Sequence, residues 1–252
     1  MNTIRRWRQW VRGFIGPALL AGIARGALAA DPDPMQGQQP VPMLGREFRF
    51  VPGSWGLYKL TGREGAEEHK MYFSVLDEVK QRKGKKAYWM EIEVYTNDQP
   101  AVVTRLLVPD TGEGPGEARK AYVQIAGHRP FEVPGKYLKP NPKKKQEGVG
   151  QFIKYNLSGE PKEKTIEWKG RSLKAATVDA TDAQGNPTRV TVSIEAPPLC
   201  VVKLDSPEAK MELLDWGIGA KTKIVGKPVG MWRWVWGVAM QAAGDAENAP
   251  TK

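Results

Sequence analysis

The sequence contains very few of the side chains on which enzymes and metal sites most often depend. Its 252 residues include one cysteine, Cys200, and two histidines, His69 and His128. Three such residues spread along the chain do not make a zinc site, and a single cysteine excludes an internal disulfide. Cys200 lies in an apolar run and is interpreted as a small buried hydrophobe. We therefore expect no metal and no other cofactor.

Motifs that mark catalytic nucleophiles and phosphate-binding loops are also missing. The segment around Ser54 lacks one glycine of the G-x-S-x-G pattern, and residues 219–222 lack the glycine spacing of a phosphate loop. Glu91 and Glu93 would lie ~6.5 Å apart on one face of a strand, which is compatible with acid–base chemistry. We interpret both as solvated charges on an outer face, and His128 as a structural residue. The sequence predicts that the chain is not an enzyme.

No acidic residue precedes Asp31, whereas residues 1–29 contain five arginines. An apolar run over residues 14–30 ends in Ala27-Leu28-Ala29, a small-x-small sequence. This order of a positive region, a short apolar region and a small-residue site is typical of a secretory signal peptide. A membrane anchor needs ~20 apolar residues, and Arg25 leaves this run too short. We predict cleavage near Ala29 and a periplasmic location.

Cleavage after residue 29 changes the charge and defines the remaining domain. It removes five arginines and no acids, so the formal charge falls from +10 to +5. That mild positive charge does not indicate a nucleic-acid partner. Residues 30–47, rich in proline and glutamine, are predicted to form a flexible leader. Residues 48–240 are predicted to form a single β half-barrel domain, and residues 241–252 a disordered tail.

Period-two alternation of apolar and polar residues dominates the chain after residue 48. In residues 86–95, for example, Tyr88, Met90, Ile92 and Val94 alternate with mainly polar neighbours. Residues 180–188 carry the turn chemistry of a hairpin, whereas helical patterns are weak and confined to residues 148–155 and the tail after Pro228. The fold class is predicted as mainly β, a curved antiparallel sheet forming a half-barrel or open barrel with few short helices. The predicted strands cover residues 55–60, 71–79, 86–95, 101–108, 120–126, 172–181, 189–196, 199–204 and 210–216.

A lysine-rich loop interrupts the strand pattern. Clustered lysines attract anionic surfaces such as lipid head groups, and the alternative is an ordinary solvated loop. The anionic-surface candidates are Lys136, Lys139, Lys143, Lys144 and Lys145.

Three tryptophans alternate near the end of the chain, at positions 232, 234 and 236. In a strand all three indoles would line one face, whereas in a helix Trp232 and Trp236 would share a face. Tryptophan favours sites with one apolar and one wet end, such as a membrane interface or a pocket mouth. An aromatic clasp over the core is the alternative.

Six segments, interpreted as strands and turns, follow one another along the chain: residues 55–58, 73–75, 88–91, 193–199, 201–203 and 211–217. Their order over residues 48–225 resembles that of exported proteins of the outer-membrane lipoprotein-sorting superfamily. That resemblance implies an open, strongly curved half-barrel capped by helices or loops, whose apolar concave face shelters lipoprotein acyl chains in the carriers. The chain departs from the carriers in its greater length, its lysine-rich loop and the lack of a clear helical lid, and no residue matches their functional arginine.

Two hypotheses follow for what the chain does. The first is a non-catalytic periplasmic protein that binds lipid or a lipidated partner in an apolar half-barrel cavity, with transient contact to a membrane surface. The second is an envelope protein-interaction or sensor module without a small ligand, which would carry an outer apolar patch. The candidates for lining the cavity are Trp55, Tyr58, Phe73, Tyr88, Met90, Ile92, Trp232 and Trp236.

Overall fold

Strands make up most of the computed structural model, which describes residues 41–42, 48–62, 68–81, 85–96, 99–112, 114–138, 152–153, 156–181, 187–207 and 209–247. The strands are β1 Val41–Pro42, β2 Ser54–Gly62, β3 Glu68–Lys80, β4 Lys86–Thr96, β5 Gln99–Pro109, β6 Lys120–Ile125, β7 Phe131–Glu132, β8 Phe152–Ile153, β9 Asn156–Trp168, β10 Arg171–Thr181, β11 Pro187–Val192, β12 Val201–Asp205, β13 Ala209–Ile218 and β14 Val229–Gly230. A short 3-10 turn, Gly135–Tyr137, follows β7, and the helix α1 spans Met231–Glu247.

Twelve of these strands form one open sheet in the order β14-β7-β6-β5-β4-β3-β2-β13-β12-β11-β10-β9. It consists of two antiparallel meanders, β2 to β6 and β9 to β13, joined where β13 pairs with β2. The short β7–β14 pair at one edge is parallel, and β1 and β8 form a separate parallel pair. The predicted class, a mainly β fold with a curved open sheet, is confirmed.

Side-chain contacts show how strongly the second meander curls. Trp168 and Arg171 flank the β9–β10 turn, three to four strands away from β13 in the sheet order. The indole N–H of Trp168 nevertheless donates to the Leu213 carbonyl of β13 at 2.9 Å, and the Arg171 guanidinium donates to the Trp216 carbonyl at 2.9 Å. The Arg171 guanidinium also lies 4.3 Å from the centroid of the Trp216 ring. A flat sheet with strands ~4.8 Å apart would not permit these contacts.

One face of the sheet, which we call the core face, carries the hydrophobic core. In β2 to β5, alternate residues are apolar and point to the same face, where the apolar residues of neighbouring strands lie side by side. Tyr58, Phe73, Met90 and Leu106 are all buried in this layer. Phe131 of β7 and Trp234 of α1 extend the layer, with ring centroids 4.7 Å apart. The alternation read from the sequence therefore marks the buried side of the first meander.

Strand β9 is the long element that the alternation did not predict. Its sequence, NLSGEPKEKTIEW, includes a proline, two lysines and three glutamates. It forms the outer edge of the sheet, where charged side chains and proline prevent pairing with another strand. An edge strand of this kind has no reason to show a continuous apolar face.

The predicted strand over residues 189–196 was too long. Strand β11 ends at Val192, and residues 193–200 form a tight loop in which the Ser193 N–H donates to the Cys200 carbonyl at 2.8 Å. Pro197 and Pro198, which have no N–H group to donate to a strand partner, lie within this loop. The loop leaves Ile194 exposed and buries Cys200, as expected for that thiol.

The helix α1 resolves the two readings of the tryptophan cluster in favour of a helix. Met231, Trp234 and Val238 face the core, whereas Trp232 and Trp236 share the opposite, exposed face. Within the described part of the chain, no helix combines the length and the apolar character that spanning a bilayer requires.

We expect Phe73→Ala to lower the free energy of unfolding by about 3–5 kcal/mol, because Phe73 is fully buried and the change leaves a cavity. Urea denaturation monitored by circular dichroism measures the effect. Val225→Ala is the control, since the Val225 side chain is exposed and its loss is expected to change stability by less than about 0.5 kcal/mol. Equal midpoints for the two variants would contradict this assignment of the core.

Candidate functional site

A groove of about 580 Å³ runs along β9, β10 and β11 and continues to the loop after β11. Its volume lies within the range of about 300–1,000 Å³ typical of ligand sites. The loop at residues 193–200 builds one wall, because it turns Ile194 outward with 52% of its surface exposed. Apart from Pro161 of β9, the apolar lining consists of Ala175, Ala176, Val178, Val190, Val192 and Ile194.

Polar and charged side chains form the rim of this groove. Lys164 and Glu163 come from β9, and Lys174 comes from β10. The Lys174 backbone N–H donates to the Glu195 carboxylate at 3.0 Å, which ties the loop after β11 to the rim. An apolar trough with two lysines at its edge is suited to a molecule with an apolar tail and an anionic head.

Glu91 and Glu93 lie on the face of the sheet opposite the core face, and the prediction that they are solvated is wrong. Their exposed fractions are 0% and 1%. The segment of residues 219–228, which we call the strap, leaves β13 and crosses this face before β14. Its Thr222 hydroxyl and its Lys223 backbone N–H, at 2.8 Å, donate to the Glu91 carboxylate. The alternation of residues predicted correctly which face of the sheet carries Glu91 and Glu93, but it gave no indication that a distant segment covers that face.

The strap is held at further points on the same face. The Val225 N–H donates to the Gln124 side-chain oxygen at 2.8 Å, and the Lys223 ammonium lies 5.9 Å from the Tyr72 ring centroid. Arg105 Nε lies 3.9 Å from a Glu91 oxygen, so the guanidinium partly balances the buried charge. Glu91 therefore acts as the anchor of the strap.

Glu93 has fewer partners than Glu91. The Tyr95 hydroxyl donates to one of its oxygens at 2.9 Å, and the other oxygen has no hydrogen-bond partner among the described residues. Burial raises the pKa of Glu93, an effect that the Tyr95 hydrogen bond and the Lys223 charge only partly oppose. Burial and the two nearby glutamates likewise raise the pKa of Tyr72 to about 12. Both carboxylates are thus enclosed within the fold.

The other candidate chemical groups, His128 and Lys136, do not line the groove. The His128 ring packs edge-on against Trp234 of α1 with centroids 5.8 Å apart. Lys136 lies in the 3-10 turn with its ammonium 4.7 Å from the Tyr137 ring centroid. Among the described residues, no group of three histidine, cysteine, aspartate or glutamate side chains is placed to hold a metal ion. The remaining lysines of the loop, Lys139, Lys143, Lys144 and Lys145, lie outside the described residues.

The predicted cavity residues occupy three different places. Tyr58, Phe73, Tyr88, Met90 and Ile92 are buried together in the core, where Phe50 stacks on Tyr88 at 4.5 Å.

Trp55 lies on the opposite face, stacked on Tyr72 at 5.4 Å, and Trp232 and Trp236 are exposed on α1. That these residues line a ligand cavity stays a prediction. The sequence did not predict the groove, because apolar residues alternate in the same way in β11 whether the side chain is fully buried, as in Val190, or partly exposed, as in Val192.

Comparisons with known proteins give distant structural likenesses. No family profile matches the sequence, and no curated protein matches it. A structure assigned as a lipoprotein from Parabacteroides distasonis is 10% identical with a TM-score of 0.35, over 69% of this chain and 99% of that one.

The structure of MucB is 11% identical with a TM-score of 0.29, over 72% of this chain and 60% of that one. One assigned as an outer membrane lipoprotein-sorting protein domain from Vibrio parahaemolyticus is 9% identical with a TM-score of 0.30, over 70% and 89% of the two chains. Neither a shared family nor a shared function follows from likenesses of this kind.

We expect Glu93→Gln to raise the melting temperature at pH 7. Because the pKa of Glu93 is raised in the folded state, its contribution to stability is fully present below the ordinary value of 4.5 and is lost as the pH rises through the folded value. The advantage of the variant is therefore expected to shrink as the pH falls to 4. Thermal melts from pH 4 to pH 8 measure it.

The matched control is Glu163→Gln, since Glu163 is an exposed carboxylate on β9. Its melting temperature is expected to follow that of the unchanged protein at every pH. A Glu93→Gln variant less stable than the unchanged protein at pH 7 would contradict the effect assigned to burial.

Proposed function

We propose that this chain is an exported periplasmic protein that binds a lipid or a lipidated partner, without catalysis, in an apolar site on its half-barrel. The groove along β9, β10 and β11 is the observation that carries the proposal. It combines an apolar lining, a volume typical of ligand sites and the exposed Ile194 at its edge.

Burial of an acyl chain supplies enough free energy for such a complex without any catalytic group. Each buried methylene contributes about 0.8 kcal/mol. Ten methylenes would thus contribute about 8 kcal/mol, before the loss of translational and rotational freedom on binding is subtracted. Of the apolar lining, Ala176, Val192 and Ile194 keep exposed surface that would receive the chain, whereas Ala175, Val178 and Val190 are already buried.

The rim indicates the head group. Lys164 and Lys174 are both exposed at the groove, where they can meet a carboxylate or a phosphate. Glu163, opposite Ala176, lies one position beyond Lys164 in the register and would disfavour a second negative charge on that side. We infer a ligand with one apolar chain and a compact anionic head.

A non-catalytic role accords with the enclosure of Glu91 and Glu93 under the strap. The proposed partners are a lipid or a lipidated protein, with an envelope protein as a further possibility and transient contact with a membrane surface. We propose no nucleic-acid partner.

Native mass spectrometry of the protein purified from the periplasm without detergent tests this proposal. A co-purifying mass that disappears on solvent extraction and matches a lipid would support it. A ligand-free mass, together with no uptake of added fatty acid or phospholipid, would contradict it and favour an interaction module without a small ligand.

The variant Ala176→Trp is expected to weaken the binding of a fluorescent fatty acid at least tenfold, because the indole fills the groove. Ala176 is only partly buried, so the indole can occupy the groove without displacing the core. Fluorescence titration measures the dissociation constant. Ile218→Trp, which places the same ring at an exposed end of β13, is expected to leave it unchanged. Equal affinities for the two variants would exclude this groove as the site.

A further inference from the structure

The exposed face of α1 carries a stripe of large apolar side chains. Trp232, Trp236 and Met240 recur every four residues, and 52%, 69% and 69% of their surfaces are exposed. Residues four apart lie on the same side of a helix, so the stripe extends about 12 Å along the axis. The core-facing side of the helix is already occupied through Met231, Trp234 and Val238. The stripe is therefore additional apolar surface, beyond what attaches the helix to the sheet.

Basic residues lie near the start of this stripe. Arg233 is the one charged residue among residues 231–244 of the helix, and the acids Asp245 and Glu247 follow beyond the stripe at the helix end. Arg233 is exposed and precedes Trp236 by three positions, which makes the two side chains neighbours on the helix surface. Strands β7 and β14 are parallel, so the chain leaves both of them at the same end of the pair. Lys136 follows β7 and Arg233 follows β14, and both residues therefore lie beyond that end. The acid of β7, Glu132, is matched by Lys120 at 3.4 Å.

We propose that the exposed face of α1 docks on the surface of an anionic phospholipid membrane. Indole rings favour the boundary between head groups and acyl chains, and basic residues beside them meet the lipid phosphates. The helix would lie along the surface, because its other side is fixed to the sheet. The inference rests on the envelope location in the proposed function, and it does not require the groove to bind a ligand.

Charge argues against a second copy of the chain as the occupant. In a two-fold interface the same patch meets itself, so each Arg233 and Lys136 would approach a patch with the same charge. Like charges brought together at an interface oppose association, whereas an anionic bilayer neutralises them.

Co-sedimentation of the purified exported protein with vesicles tests the docking surface. Vesicles of phosphatidylcholine with about one third phosphatidylglycerol are compared with phosphatidylcholine alone, at low and at high salt. We expect binding to the anionic vesicles that weakens with salt, as for any attraction between exposed charges. The double variant Trp232→Ser/Trp236→Ser is expected to reduce the partition coefficient at least tenfold, and Arg233→Ala to reduce it mainly at low salt.

Ile218→Ser is the matched control, because it removes an equally exposed apolar residue from β13 and is expected to bind as the unchanged protein does. Melting curves check that the double variant is folded, and Trp236→Ser alone is used if it is not. Failure of the unchanged protein to bind anionic vesicles, or equal binding by the tryptophan variants, would overturn the proposal. Self-association abolished by the double variant, without vesicle binding, would overturn it in favour of a second copy.

The proposals for the groove and for the docking surface are tested independently by measuring fatty-acid binding and vesicle binding on both the groove variant and the double tryptophan variant. Ala176→Trp is expected to retain vesicle binding, and the double tryptophan variant to retain fatty-acid binding. Vesicle binding without fatty-acid uptake would leave the docking surface standing and remove the proposed ligand site. The reverse result would remove the docking surface alone.

Discussion

The architecture depends on the pairing of β2 with β13, which joins the two meanders into one sheet. Nine residue pairs hold this seam together over a separation of about 150 residues in sequence. Small residues permit close packing there: a side chain at Gly56 would meet the Tyr58 ring at 2.8 Å, and one at Gly217 would meet the Trp55 indole at 3.1 Å. Trp168 and Arg171 then curl the second meander back onto β13. Without the seam, each five-stranded meander would lose a neighbour and expose a new edge.

The two faces of the sheet are covered in different ways. The core face is closed by apolar side chains and by α1, whose attachment is dominated by Trp234 against Phe131. The opposite face is closed by the strap, which is attached largely through backbone and hydroxyl donors to Glu91. A buried carboxylate is unfavourable unless such donors surround it, so Glu91 and the strap require each other. This dependence explains why the strap follows a defined path to β14.

The apolar surface that this packing leaves over is concentrated in two places, the groove of the second meander and the outer stripe of α1. The groove is concave and rimmed by charge, which suits a single chain-like ligand. The stripe lies on the exposed side of a helix and has Arg233 beside it, which suits an extended anionic surface. The proposed function would use both, since the groove would hold a lipid and the stripe would bring the protein to a membrane surface.

The sequence predicted nine strands of the sheet, because a strand with one buried face must alternate polar and apolar side chains. It also predicted that helical geometry would place Trp232 and Trp236 together. It did not predict β9, since an edge strand buries too little to need alternation. It also did not distinguish the packed apolar residues of β2 to β5 from Ala176 and Val192, which stay partly exposed in the groove.

By itself, therefore, the sequence determined the strand pattern, the small turns and the composition from which export was predicted. Only the tertiary structure decided that Glu91 and Glu93 are buried, that a groove opens beside Ile194 and that one side of α1 stays uncovered. The physical reason is that alternation records which side a residue faces, whereas burial depends on what distant segments are brought against that side.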